Sequence, residues 1–344
     1  MSIQIEELWR ALEADAVGGI AGRGGWLMRL ARSVVGCPLF VGLEIGSRRR
    51  AILLQLPANS LPSRRLWPRS KGLESLAVSI ESETYFGVGL KEPRFSDVFT
   101  ALAEDLARRV SEAADPQAHA RAFLGQLARW QKFLSASSDG LSEESQRGLW
   151  GELHFLREQL LPGLGPAAVG GWKGGEGAHQ DFQFQEGAVE VKTTLAKQPQ
   201  VVRITSERQL DSTAWKVLFL HVTALDVTDA GGETLPAMVA SLRIAMASEP
   251  AAREQFEDEL LMAGFLDAHA LRYSARGYTV RSASSFRVGP GFPCLVEAQM
   301  PVGVGDVSYA LSVAACEPFK VSDADVNAAL TVKPKTKTGG RKRG

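Results

Sequence analysis

Cysteine is scarce in this chain, and the little there is argues against two architectures. Cys37, Cys294 and Cys316 are odd in number, far apart and outside any CxxC spacing, which speaks against a disulfide framework and against a zinc site. Long apolar runs are missing too. No stretch of about 18 apolar residues occurs, so no membrane-spanning helix is expected. The opening MSIQIEELWR is acidic where a secretory leader would be basic, so export is not expected and a reducing cytoplasm is the expected location. Internal repeats at solenoid periods are absent. So is an excess of one charge, with 39 basic and 39 acidic residues. What remains is the composition of a folded, soluble chain, 45% hydrophobic and 23% charged. Its 344 residues suit roughly two or three domains.

The balanced charge hides an asymmetry. The last fourteen residues, TVKPKTKTGGRKRG, hold six of the basic residues and no acid, which leaves the preceding 330 net acidic. Residues 331–344 therefore read as a basic arm able to touch phosphates without sequence preference, or as a merely solvated terminus. Residues 1–134 read as an α+β domain: a short amphipathic helix, then an antiparallel meander of PLFVGLEI, AILLQLP, ESLAVSI and TYFGVGL. Two helices close it, one carrying Val98, Leu102, Leu106 and Val110, the other Phe123, Leu127, Trp130 and Leu134. Arg48, Arg49 and Arg50, with Arg64, Arg65 and Arg69, could line a nucleic-acid groove; solvated hairpin ends are the reading favoured here.

A polar loop at 135–140 marks a boundary, and a core expected over 141–230 follows. Its helix starts at Ser142 as N-cap, with Glu143 and Glu144 in the first turn, and buries Leu149, Leu153, Leu156 and Leu160 before Pro162 and Gly163 end it. A Gly-rich stretch over 163–178 has room for a short strand around Val169 to Trp172. A hairpin over 181–192 follows, then a strand near QVVRIT. Ser206 and Gln209 have the spacing of a capping box on a short helix, and WKVLFLHVTALDV reads as a long buried strand. Residues 231–330 read as an α+β region packing on this core, with helices near 236–247 and 249–264 and strands near 277–288, 292–299 and 307–316.

The hairpin DFQFQEGAVEVK carries the chemistry. With Glu186 and Gly187 at the turn, Gln183 lies opposite Glu190 and Asp181 opposite Lys192. Residues directly opposite share a face, so Asp181, Gln183, Glu190 and Lys192 project to one side and Phe182, Phe184, Val189 and Val191 to the other. Asp181 and Glu190 become diagonal neighbours, about 7 to 8 Å apart at the backbone, within reach of one cation. Glu152 lies about 70° from the centre of the leucine stripe, at the edge of the buried face of the preceding helix, and can supply a third carboxylate.

Three clustered carboxylates repel unless protonated or bridged by a cation, and hard oxygen donors suit Mg²⁺ or Mn²⁺. With Lys192 to offset charge on phosphoryl oxygens, such a cluster can support metal-assisted phosphodiester hydrolysis. EVK alone carries no weight, because a chain of this length holds roughly one Glu-x-Lys triplet by chance. A plain hairpin with an Asp181–Lys192 cross-strand ion pair, worth about 0.2 to 1 kcal/mol, competes on even terms.

GLWGELHFLREQLLP, a following Trp, HQDFQF, VEVKTT and ITSERQLD together resemble a bacterial PD-(D/E)XK family long described as a domain of unknown function. The similarity is best over 140–230. Asp181 matches the first acid, Glu190 the second, Lys192 the lysine and Glu152 the helix acid; Gln180 stands where the motif's name has proline. The resemblance implies an α/β, restriction-endonuclease-like core of helix, mixed sheet, helix and strand. It implies a metal site of Asp181, Glu190, the Val191 carbonyl and Glu152, with Lys192 orienting water or stabilising the phosphorus. Gln183 and Gln209 are candidate substrate contacts, each with a plainer reading, as an exposed strand residue and as a helix cap. Loop His179 reads as solvated. DNA is the implied substrate, and phage defence beside an ATPase and a methyltransferase the implied setting, with a homodimer compatible. A non-catalytic DNA-binding or scaffold subunit on the same fold is the alternative.

Overall fold

The computed structural model describes residues 5–32, 38–56, 72–112, 116–136, 140–175, 177–229 and 231–331. Cys37, Arg64, Arg65, Arg69, the Leu134 side chain, residues 137–139 of the expected 135–140 loop and the basic tail beyond Thr331 lie outside the described residues. Two compact units form, one from 1–140 with 264–269, the other from 141–263 with 270–344.

In the first unit α1 (Ile5–Val17) precedes an antiparallel sheet of β1 (Trp26–Arg32), β2 (Leu39–Glu44), β3 (Arg50–Leu56), β4 (Leu73–Ile80) and β5 (Glu83–Leu90). The strand order is β1-β2-β3-β5-β4 rather than a simple meander, and β1 is a strand the sequence pattern did not reveal. Burial explains the inversion: β5 is buried along most of its length and takes the inner place, while β4 alternates with solvent and forms the edge. Two helices follow, α2 (Ser96–Glu112) and α3 (Pro116–Ala136). Val98, Leu102, Leu106, Val110, Phe123, Leu127 and Trp130 are all buried. Arg49 pairs with Glu44 and Glu74, and Arg50 with Glu6 and Glu13, so both are neutralised locally.

In the second unit α4 (Glu143–Phe155) is capped by Ser142, whose side chain accepts from the Ser145 N–H. The helix continues through a π turn over Leu156–Leu160 into α5 (Leu161–Leu164), running past Pro162. Proline is tolerated there because it falls in the first turn of the resumed helix. The central sheet contains β6 (Phe182–Gln183), β7 (Gly187–Thr194), β9 (Val217–Thr228), β10 (Glu233–Thr234), β11 (Gly277–Val288) and β13 (Lys320–Val321), while β8 (Val201–Ile204) and β12 (Tyr309–Ser312) form a separate pair. Order across the sheet is β10-β11-β9-β7-β6, with β13 on β11 and only β7 and β9 parallel. Since β11 pairs with β9 along nearly its whole length, the core sheet extends past residue 230. The helices α6 (Leu235–Ala245), α7 (Pro250–Met262), α8 (Ala270–Tyr273) and α9 (Asp323–Leu330) complete the unit.

Several local expectations are corrected. Residues 166–171 form a 3-10 turn, with Trp172 bridging to Phe182, because Pro166, Gly170 and Gly171 favour tight turns over a strand. The expected helix at 206–212 is a turn: Gln209 accepts from the Thr205 N–H and hydroxyl, one residue away from a capping box, and Ser206 accepts from Arg208. The strand expected at 292–299 is loop and 3-10 turn, and that at 307–316 shrinks to β12.

Strand register places the two faces of the sheet. Ala188, Leu218, Leu220 and Val222 pack into one apolar cluster with Val202, Ile204, Leu311 and Val313, so the β8–β12 pair covers the face that carries Glu190 and Lys192. α4 covers the opposite face. A Cβ on Gly151 would lie 2.2 Å from Thr193 Cγ2, so glycine is what allows α4 to approach β7 this closely.

Candidate active site

The observed hairpin register pairs Phe182 with Val189 and Gln183 with Ala188, two residues away from the expected pairing. A shift of two preserves face parity, so the acidic and apolar faces survive the correction. The ladder spans only those two pairs. Beyond it, the Val191 N–H donates to Asp181 Oδ2 at 2.7 Å, a carboxylate standing in for the missing strand carbonyl. The Asp181 carbonyl in turn accepts from the Lys173 N–H at 2.7 Å.

Glu190, with the sheet on one side and the β8–β12 layer on the other, is fully buried. Lys192, two residues on and on the same face, donates to Glu190 Oε1. Glu190 Oε2 has no hydrogen-bond partner. Glu152 reaches the same cluster from α4, and its Oε2 accepts from Trp172 Nε1 at 2.8 Å. A Cβ on Gly174 would lie 2.2 Å from that oxygen, so glycine at 174 leaves the space the carboxylate fills.

Electrostatics tie the four groups together. Burial, then the neighbouring Asp181 charge, pushes Glu152 up to about 8 against the Trp172 hydrogen bond and Lys192. Burial also raises Asp181, opposed by Lys192 and the Val191 N–H. Glu190 lies well above the usual carboxylate range, through burial first and the Asp181 charge second. Burial would lower Lys192, but Glu190 and Asp181 outweigh it and hold the ammonium charged. Three carboxylates facing one ammonium are an unbalanced set, which protonation or a cation must relieve.

The donor set fits a hard divalent ion by its chemistry: carboxylate oxygens, one of them buried and unpartnered. Among the described residues no three His, Cys, Asp or Glu side chains are grouped so as to hold a metal ion.

Other candidates lie elsewhere or are already engaged. Gln183 donates to Gln180 Oε1 at 3.4 Å, and Gln209 turns to Thr205. His179 is exposed. Residues given no role from the sequence do much of the holding: Trp172, Gly151, Gly174 and Gln180. Trp172 stood in the matched motif order without a role, Gly151 lay inside the helix without one, and Gly174 fell in the Gly-rich stretch. His221 was missed as well. Its ring is buried on the α4 face, 4.5 Å between centroids from Phe155, with Nδ1 2.8 Å from Ser285 Oγ. Burial first, then His154, lowers its pKa to about 3, so it is neutral.

No curated protein and no solved structure shows a significant match to the chain. A family model does match, over residues 5–314, and its description reads "Putative PD-(D/E)XK family member, (DUF4420)". The fold agrees with it: the chain mixes α-helices with several β-sheets, and α4 packs on the sheet that holds β6, β7 and β9. By a match that covers most of its length, the chain belongs to the DUF4420 family of PD-(D/E)XK-type proteins.

Proposed function

We propose that the protein is a metal-dependent endonuclease that hydrolyses DNA phosphodiester bonds. One observation carries the reading: the fully buried Glu190 carboxylate pairs with Lys192 through one oxygen and keeps the other free, while the intervening Val191 N–H holds the Asp181 carboxylate. Asp181, Glu190 and the Val191 carbonyl would hold Mg²⁺ or Mn²⁺, and Glu152 would join directly or through water. Bound there, the ion would neutralise charge and make water nucleophilic at neutral pH. Lys192, anchored on Glu190, offers its ammonium to the phosphoryl oxygens as their charge grows. The Asp181 carboxylate is oriented by the Val191 N–H, which leaves its other oxygen for the site. Work within a phage-defence assembly, beside ATPase and methyltransferase partners, belongs to the same proposal.

Purified protein with Mg²⁺ or Mn²⁺ is expected to nick or linearise supercoiled plasmid, and Lys192→Ala to lose about a hundredfold or more of that activity. Equal cleavage by the two preparations would assign it to a contaminant and sink the reading. The alternative, a DNA-binding or scaffold subunit without turnover, draws on the finding that among the described residues no three such side chains are grouped to hold a metal ion. It predicts salt-sensitive DNA binding with no cleavage under any divalent ion.

A further inference from the structure

Asp181 sits at the mouth of a strand too short to hold it. The β6 ladder pairs only Phe182 and Gln183, both after Asp181, and the bridge from Trp172 also falls on Phe182. On the other side stands Gln180, 4% exposed, with both ends of its amide engaged. Its Nε2 donates to the Arg208 carbonyl at 2.9 Å and the Gln209 carbonyl at 3.2 Å. Its Oε1 accepts from Trp215 Nε1 at 3.3 Å and Gln183 Nε2 at 3.4 Å. One side chain thereby joins the segment entering β6, the turn before Leu210 and the residue that leads into β9.

We propose that Gln180 is a positioning residue that fixes Asp181 for its role in the site. The inference rests on the reading of Asp181 as a metal ligand. A proline at this position could set only the local backbone angle, φ near −65°, and has no donor to offer. Gln180 acts through space instead. It satisfies two carbonyls of the 207–210 turn and an indole N–H, and fixes the chain from which the Asp181 carboxylate reaches the Val191 N–H. Trading the amide for an apolar group of similar length leaves those carbonyls and the indole unpaired, at a cost concentrated where Asp181 is held. The same amide steers Gln183, which shares the Asp181 and Glu190 face.

Residue-resolved hydrogen exchange on the metal-free protein tests this directly, because the Val191 N–H reports on its bond to Asp181. Gln180→Met is expected to accelerate Val191 exchange about tenfold while Leu220, in the middle of β9, keeps its wild-type rate. Trp215→Phe, which removes a single donor to Gln180, is expected to give a smaller acceleration at the same amide, and keeps the test open if Gln180→Met does not fold. Unchanged Val191 exchange in the variants, or equal acceleration at Val191 and Leu220, would overturn the positioning role. A Mn²⁺ titration of the same samples separates the two readings. About a tenfold loss of affinity in Gln180→Met is expected. No binding even by wild type would fell the nuclease reading, while the exchange result still decides whether Gln180 holds Asp181.

Discussion

At Glu190 the demands of stability and of chemistry conflict within a single residue. Its carboxylate is fully buried, shares one oxygen with Lys192 and leaves the other without a partner. Such a group costs free energy unless protonated or bridged. Glu190→Gln is therefore expected to raise the metal-free melting temperature at about pH 8, by the equivalent of roughly 1 kcal/mol, while removing metal binding. A lower melting temperature would mean that the Lys192 ion pair outweighs the burial. The pH dependence has a definite sign. Glu152, raised to about 8, binds its proton more tightly in the folded state. Its contribution to stability is thus full below the unfolded value of 4.5 and is lost as pH rises through about 8. Melting temperatures of the metal-free protein should decline from roughly pH 5 to pH 8, less steeply in Glu152→Gln. Identical slopes in the two proteins would show that the Glu152 proton is not coupled to folding. Alternation placed Asp181, Glu190 and Lys192 on one face and helical phase placed Glu152 at the helix edge, but a plain hairpin fitted equally well, and the reading of the four as a site came with the resemblance. The roles of Trp172, Gly174 and Gln180 were not legible, because a hydrogen-bond partner twenty or more residues away leaves no periodic trace.

At the scale of elements, two glycines separate packing from chemistry. Thr193 is β-branched and stands on β7 against α4, so Gly151→Ala forces α4 off β7 and is expected to destabilise by about 1–3 kcal/mol in chemical denaturation. At Gly174 the obstacle is the far end of a flexible side chain, Glu152 Oε2. Gly174→Ala should leave the denaturation midpoint nearly unchanged and instead break the Trp172–Glu152 hydrogen bond, read as a shifted indole N–H resonance. An unshifted resonance would show that Glu152 does not depend on this space. The hairpin itself was half legible. Its faces followed from alternation, which a two-residue register shift cannot disturb, whereas the register depended on a turn whose length the sequence left open. The missing helix at 206–212 has a similar cause: Ser206 and Gln209 have capping spacing, but Gln209 and Gln180 spend their hydrogen bonds on a turn.

Over the whole molecule, what was legible was local and what was not was long-range. Buried stripes in α2, α3 and α4 and the long β9 strand could be read directly, since each declares its own period. The place of β5 inside β4, the extension of the core sheet by β11 and the joining of 264–269 to the first unit depend on pairings between distant segments, which alternation alone does not encode. The cluster built by that topology is the account's central claim, and metal affinity tests it with no assumption about substrate. Calorimetric titration of Mn²⁺ into the wild-type protein and into Asp181→Ala, at about pH 8, should give saturable binding in the first and none, or at least about tenfold weaker binding, in the second. Equal affinity in both proteins, or no binding by the wild type, would contradict the account.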